Sequence, residues 1–275
     1  MPTPDAHRRL AESFGLDAER YDRTRPRYPA AMVERIVAAL PGADVLDVGT
    51  GTGIAAEQFR AAGCRVLGLD PDDRMAALAR RRGFPVEVSA FETWDPAGRS
   101  FDGVIAGQAW HWVDPVAGAR QGARVLRPGG GIALFWNAFT PDPEVAATFA
   151  EVYRRVAPSL PFTPWAAPAG DTAKKDTGFH DRAARGLTES GAFTEAELWT
   201  HAWDHTYRRD DWLDQVPTSG GHQLLPPAEL DALLDGLAAV IGETVTIGYT
   251  TVLTTATRTG QDVSSESSGP ALPAG

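Results

Sequence analysis

The stretch Leu46-Asp47-Val48-Gly49-Thr50-Gly51-Thr52-Gly53 sets an acid two residues ahead of three alternating glycines. Glycines so placed let a backbone take positive φ and approach a ligand closely, while the helix that follows offers free N–H groups to a polar or anionic moiety. A second acid, Asp70, stands 19 residues beyond Gly51, the place from which a carboxylate accepts hydrogen bonds from ribose hydroxyls. Together they imply a nucleotide-like ligand. The dinucleotide fingerprint GxGxxG needs a small residue where this chain has Ile54, and no GxxxxGK[ST] run occurs, so a dinucleotide-dependent oxidoreductase fits poorly.

Other residues have chemistry of their own. In Gln108-Ala109-Trp110-His111-Trp112, His111 can deprotonate a hydroxyl, amine or activated carbon near neutral pH, or it can merely orient its loop. Trp110 and Trp112 can stack on a flat substrate or belong to the core. Tyr21 and Arg25 precede the first core helix; Tyr21 can close a site and Arg25 can meet a carboxylate, or both can lie on an arm held by surface ion pairs. His201 and His205 have metal-ligand spacing, but on a strand they share a face with Trp203 and Tyr207 without a third ligand, so no metal is expected. Arg80-Arg81-Arg82 reads as a solvated helix end favoured by the helix dipole.

These residues need a frame. From residue 29 short β-like runs alternate with amphipathic helical stretches, which predicts a parallel sheet. Strands are expected at 43–48, 65–69, 86–89, 101–106 and 132–136, with helices over 29–40, 54–62, 72–82 and 114–126. The glycine loop then sits at the carboxyl end of the first strand, where open α/β sheets bind ligands. Residues 140–190 break the rhythm with prolines and aromatics, and no clean period runs over 158–181. A cap is expected there, whose Phe149, Tyr153, Phe162 and Trp165 can roof a pocket. A strand at 196–207, a helix at 227–241 and a β-rich run at 244–258 follow, and the Ser/Gly/Pro-rich end reads as a disordered tail.

The chain has 275 residues, 43% hydrophobic and 23% charged, an ordinary globular profile that allows one large α/β domain. Its formal charge of −10 leaves no global basic field for nucleic acid or an anionic membrane. Cys64 is the single cysteine, which excludes an intrachain disulfide. A start of MPTPDAHRRL and the lack of a ~20-residue apolar run predict a cytoplasmic protein.

The D-x-G-x-G-x-G run from Asp47, Tyr21-Asp22-Arg23-Thr24-Arg25-Pro26-Arg27-Tyr28-Pro29, Ser89-Ala90-Phe91-Glu92, the 108–112 segment and Val125-Leu126-Arg127-Pro128-Gly129-Gly130 together resemble class I S-adenosylmethionine-dependent methyltransferases, over residues 21 to about 258. YDxxRPxYP, QAxHWxDP and LRPGG…LFWN are similar to the methyltransferase type 11 branch that includes trans-aconitate methyltransferases and many small-molecule enzymes of bacterial secondary metabolism. The resemblance implies a Rossmann-like, doubly wound α/β sheet of seven strands, mostly parallel with the last antiparallel. It implies one domain over 1–258, with an N-terminal arm at 1–28, a helical or loop cap at about 140–190 and a tail at 259–275. S-adenosylmethionine is the implied cofactor. Asp47, Gly49, Gly51 and Gly53 would surround its methionine end, Asp70 its ribose, Ala90 and Phe91 its adenine, and Gln108 its sulfonium side, with Pro71 and His111 also among the cofactor-binding residues. Tyr21 and Arg25 would fold over it, with Tyr21 and His111 the catalytic candidates and Trp110, Trp112, Phe162 and Trp165 facing the substrate. A carboxylate O-methyltransferase with an arginine clamp, and a protein that keeps the cofactor without transferring methyl, stand as alternatives.

Overall fold

The computed structural model describes residues 13–158, 160, 165 and 169–260. Its centre is built from strands that alternate with helices: β1 (Asp44–Val48), α3 (Ile54–Ala61), β2 (Arg65–Asp70), α4 (Asp73–Arg81), β3 (Val86–Val88), β4 (Phe101–Gly107), α5 (Pro115–Val125) and β5 (Leu126–Phe139). Ahead of them lie α1 (Ala18–Thr24) and α2 (Ala30–Ala39); behind them come α6 (Pro143–Val156), α7 (Ala169–Ser190), β6 (Glu197–Arg208), α8 (Arg209–Gln215), α9 (Pro227–Ala238) and β7 (Thr244–Thr257). The sheet runs β3-β2-β1-β4-β5-β7-β6. β1 to β5 pair in parallel, and β7 inserts antiparallel between β5 and β6. This is the seven-stranded sheet that the resemblance implies.

Side-chain alternation explains why both faces are covered. In β4, Val104 and Ala106 face one core cluster and Ile105 the other; in β5, Ile132, Leu134 and Trp136 oppose Ala133 and Phe135. Strands apolar on both faces need helices on both sides. Asp114 caps α5 by accepting from the N–H groups of Val116 and Ala117, and Asp72 caps α4 through the N–H of Arg74, each satisfying donors that a helix start leaves open.

Two differences from the sequence reading concern helices. A 22-residue helix, α7, occupies 169–190, where no clean period was visible. Gly186 lets it meet α5, because a Cβ there would stand 2.3 Å from the Pro115 carbonyl oxygen. Short α8 was also unforeseen: its Arg-Asp-Asp start carries no periodicity, yet Trp212 anchors it in a third apolar cluster with Phe149, Tyr153, Trp165, Tyr207, Leu233 and Tyr249. Phe162, residues 1–12 of the arm and 261–275 of the tail lie outside the described residues.

Candidate active site

The glycine loop lies at the carboxyl end of β1. Gly49, Gly51 and Gly53 have φ of +68°, +56° and +89°, a region that L side chains rarely adopt. At Gly49 space forbids a side chain as well, because a Cβ would lie 2.3 Å from that of Ala109. The loop is thereby pressed against the turn that follows β4. Asp70, at the end of β2, braces it: Gly51 N–H donates to Oδ2 (2.7 Å) and Asp72 N–H to Oδ1 (2.8 Å). Burial pushes Asp70 up to about 6 against these bonds.

Asp47 sits under the loop, 1% exposed. The Thr50 hydroxyl donates to its Oδ2 at 2.7 Å, while Oδ1 is buried without a hydrogen-bond partner; the Ala56 amide of α3 is near enough to favour the ionised form slightly. Desolvation pushes the acid up to about 7, and the charge of Asp70 adds to this. A buried carboxylate with an open oxygen is suited to a ligand that brings an N–H donor or a cation.

The turn after β4 completes this edge. Gln108 holds the left-handed region at φ +56°, strain that its side chain fixes by donating to the Asn137 carbonyl (2.9 Å). Non-glycine strain of this kind gathers at functional sites. Trp110 is 2% exposed and packs on Phe91, so it belongs to the core rather than to a rim. Ala90 and Pro71 are exposed beside the loop, while Phe91 is buried. Trp112 is half-buried against Phe14, which also meets Tyr21. The structure thus brings arm and turn together.

His111 packs against Trp112 and Phe179 in tilted contacts, with centroids at 4.6 and 5.0 Å. Trp136 Nε1–H donates to its Nδ1 at 3.3 Å. An indole nitrogen only donates, so the neutral ring carries its proton on Nε2. The one lone pair that could take a proton is already used. The structure favours orientation over base duty for this ring.

The arm is locked to the loop by residues the sequence reading set aside. Thr52 Oγ1 donates to Asp22 Oδ1 (2.8 Å), Arg82 bonds both Asp22 and the Thr52 carbonyl, and it pairs with Glu57 at 2.7 Å. Arg81 reaches Glu19 of the arm, and Arg80 donates to the Val86 carbonyl. The arginine run expected as a solvated helix end is instead a fastener, because α1 folds back across the end of α4. Tyr28 is a further addition: its buried phenol closes over Gly107 and burial holds its proton well above the usual phenol range.

Arg25 and Trp165 turn to the C-terminal layer. Arg25 stacks on Tyr21 (4.7 Å) and donates from Nη2 to the Thr218 carbonyl. Trp165 packs on Phe139, Phe149 and Trp212. There too lies a pair absent from the sequence reading: Tyr153 O–H donates to His222 Nε2 (2.9 Å), because His222 Nδ1–H is spent on the Ser219 carbonyl (2.6 Å). His201 stacks on Trp199, and His205 meets Trp203 and Tyr207.

This strand order, with a glycine loop after β1 and an acid ending β2, defines the class I methyltransferase fold. Residues 46–134 match the family described as methyltransferase domain. An uncharacterized methyltransferase of Mycobacterium bovis is 36% identical over 135 residues, covering 48% of this chain and 55% of that protein. The chain thus spans about half the length of the curated relatives it matches. A structure assigned as a type II methyltransferase of Anaeromyxobacter dehalogenans superposes with TM-score 0.61 at 24% identity, covering 84% of this chain and 97% of that one. Phosphoethanolamine N-methyltransferase 2 of Haemonchus contortus, solved with S-adenosyl-L-methionine, superposes with TM-score 0.50 at 13% identity, covering 91% and 57%. The match to a methyltransferase domain thus covers residues 46–134; no helix among the described residues is long and apolar enough to cross a membrane.

Proposed function

We propose that the chain is an S-adenosylmethionine-dependent methyltransferase acting on a small molecule of the kind found in bacterial secondary metabolism, at oxygen, nitrogen or carbon. The observation that carries this reading is the unpartnered Asp47 Oδ1 beneath a left-handed glycine loop. That acid suits the ammonium end of the cofactor. Asp47, Gly49, Gly51 and Gly53 would hold that end, Asp70 and Pro71 the ribose, Ala90 and Phe91 the adenine, and Gln108 the sulfonium side. When bound, S-adenosylmethionine supplies a methyl group on a cationic sulfur, displaced in line by the acceptor.

The protein contributes position and dryness. The arm, pinned by Asp22 and Arg82, brings Tyr21 and Phe14 over the 110–112 turn. His111, with Nδ1 accepting from Trp136, stands at this turn. The domain over 1–258, with arm and 140–190 cap, works as one unit in this reading. Carboxylate O-methylation is the second reading, favoured by the unpartnered Nε of Arg25.

Calorimetry with S-adenosylmethionine, S-adenosylhomocysteine and NAD tests the cofactor. Micromolar binding of both sulfur compounds, no binding of NAD, and a loss of ~1.5–3 kcal/mol in Asp70→Ala are expected. No binding to the unmodified chain overturns the reading. Binding without transfer of labelled methyl to any acceptor in a small-molecule screen replaces it with a cofactor-retaining protein of other chemistry.

A further inference from the structure

The strand order reverses between β1 and β4, and open α/β sheets take their ligands in the crevice outside the carboxyl ends of the strands at such a switch point. One polar group of that crevice has no part in the contacts proposed above. Val45 of β1 and Ile105 of β4 pack in the same core cluster as Tyr28 and Phe135. Alternation along each strand puts Asp47 and Gly107, two residues further on, on that same face. The Tyr28 hydroxyl stands there too, so close that a Cβ on Gly107 would lie 2.7 Å from it.

Tyr28 is fixed by contacts that leave its hydroxyl out. Its N–H donates to Gln58 Oε1 (2.9 Å) and its carbonyl accepts from Gln58 Nε2 (2.8 Å), a two-bond clamp on α3, the helix that follows the glycine loop. The ring meets Phe135 edge-on at 4.7 Å. The hydroxyl makes no hydrogen bond among the described residues, and unlike Asp47 Oδ1 it is not one of the unpartnered polar atoms sealed from solvent. A ring kept for packing alone needs no oxygen here, since phenylalanine makes the same apolar contacts. Gly107 leaves the room that the oxygen occupies, so the place of the hydroxyl is the observation to explain.

Its chemistry is that of a neutral donor beside an acid. Burial holds the phenol proton well above the usual range, and Tyr21 and the charge of Asp47 add to this. A neutral O–H and a carboxylate on one face of neighbouring strands match the two halves of an α-amino acid, whose carboxylate accepts and whose ammonium donates. We infer that Tyr28 is a ligand-contact residue of this site, its hydroxyl donating to the carboxylate of the cofactor's amino-acid end while Asp47 meets the ammonium. The inference rests on the methyltransferase reading for the identity of the ligand. It gives the oxygen a share in binding and none in folding.

Tyr28→Phe removes the oxygen and keeps the ring, so urea denaturation should find the variant as stable as the unmodified chain. Calorimetry should find S-adenosylhomocysteine bound about tenfold more weakly by the variant. Decarboxylated S-adenosylhomocysteine, which lacks only the carboxylate, and methylthioadenosine, which lacks the whole amino-acid end, should bind both proteins equally. These readouts are affinities, and a merely structural role for the oxygen would move all three ligands together. Unchanged affinity for S-adenosylhomocysteine, an equal loss with the decarboxylated compound, or a clearly less stable variant overturns the inference. The two readings part on the unmodified chain: if it binds S-adenosylhomocysteine and Tyr28→Phe has no effect, this assignment alone falls, whereas no binding sinks the methyltransferase reading and the assignment with it.

Discussion

Replacing Asp47 by Asn removes a buried acid without changing its shape, and the consequence should be a stability gain that grows with pH. Burial lifts Asp47 from 3.8 to about 7, so folded and unfolded proton affinities differ by about three decades. At about 1.4 kcal/mol per decade, the ionised acid costs the fold about 4 kcal/mol. A carboxyl raised by folding favours the fold below its unfolded value, and that stability is lost as pH rises through the folded value. Between pH 5 and 8 the linkage relation gives a loss of about 2–3 kcal/mol. Asparagine has no such loss: its Oδ1 accepts from Thr50, and its amide stays neutral. The stability difference between Asp47→Asn and the unmodified chain, from urea denaturation at pH 5 and 8, should therefore widen by about 2–3 kcal/mol. Burial holds His205 and His222 below the usual range, which raises stability across the same window, but equally in both proteins. Asp70, raised to about 6, loses stability in this window in both proteins, while Asp44, Asp72 and Asp214 are pulled below 3.8 and Glu87 below 4.5, so they titrate beneath it. A gap constant to within about 0.5 kcal/mol would refute the burial argument. A cationic ligand group at Asp47 favours its ionised form, so S-adenosylhomocysteine should release about one proton on binding near pH 6. The release is read from calorimetry in two buffers of unlike ionisation heat, and Asp47→Asn should abolish it.

Asp22→Asn breaks the tie among Thr52, Arg82 and the arm; with both charged side chains 20% exposed, a loss of ~1–2 kcal/mol in folding stability is expected. The same change should weaken S-adenosylhomocysteine binding several-fold, and unaltered calorimetric affinity would show that the arm plays no part in the site. His111→Gln should keep methyl transfer within about tenfold of the unmodified rate and leave its pH profile unchanged, because Nδ1 is occupied by Trp136. An inflection between pH 6 and 7 that vanishes in the variant would show that the ring acts as a base.

The sheet and the glycine loop were legible in the chain because each is locally encoded. Strand β1 is a short apolar run stopped by glycines, and Asp70 follows at the interval that one strand and one helix impose. Helix α7 was hidden because glycines and charged residues dilute its period, and it gains its place by docking Gly186 and Leu187 after folding. Arg82 was misread for a related reason. The helix dipole accounts for a basic residue at that point, while its partners Asp22, Thr52 and Glu57 come from three other parts of the chain. Gln215 and His222 have no motif around them, and only burial without matching partners marks Gln215 out.

The glycine loop and the C-terminal layer are joined through one short helix. Asp22 of α1 is tied to Thr52 in the glycine loop, and Arg25 at the end of the same helix is tied to Thr218 in the C-terminal layer. Tyr21 lies between them, with the Arg25 guanidinium stacked on its ring. A change that releases Asp22 therefore acts on the guanidinium tied to Thr218 through the same helix. The seven residues of α1 bury none of their side chains fully, so helix propensity and core packing contribute little to holding it. Polar ties at its two ends do that instead. Backbone amides of α1 should therefore exchange with solvent faster than those of the sheet that carries Asp47 and Asp70, and equal protection would show that the ties hold the arm as firmly as the core.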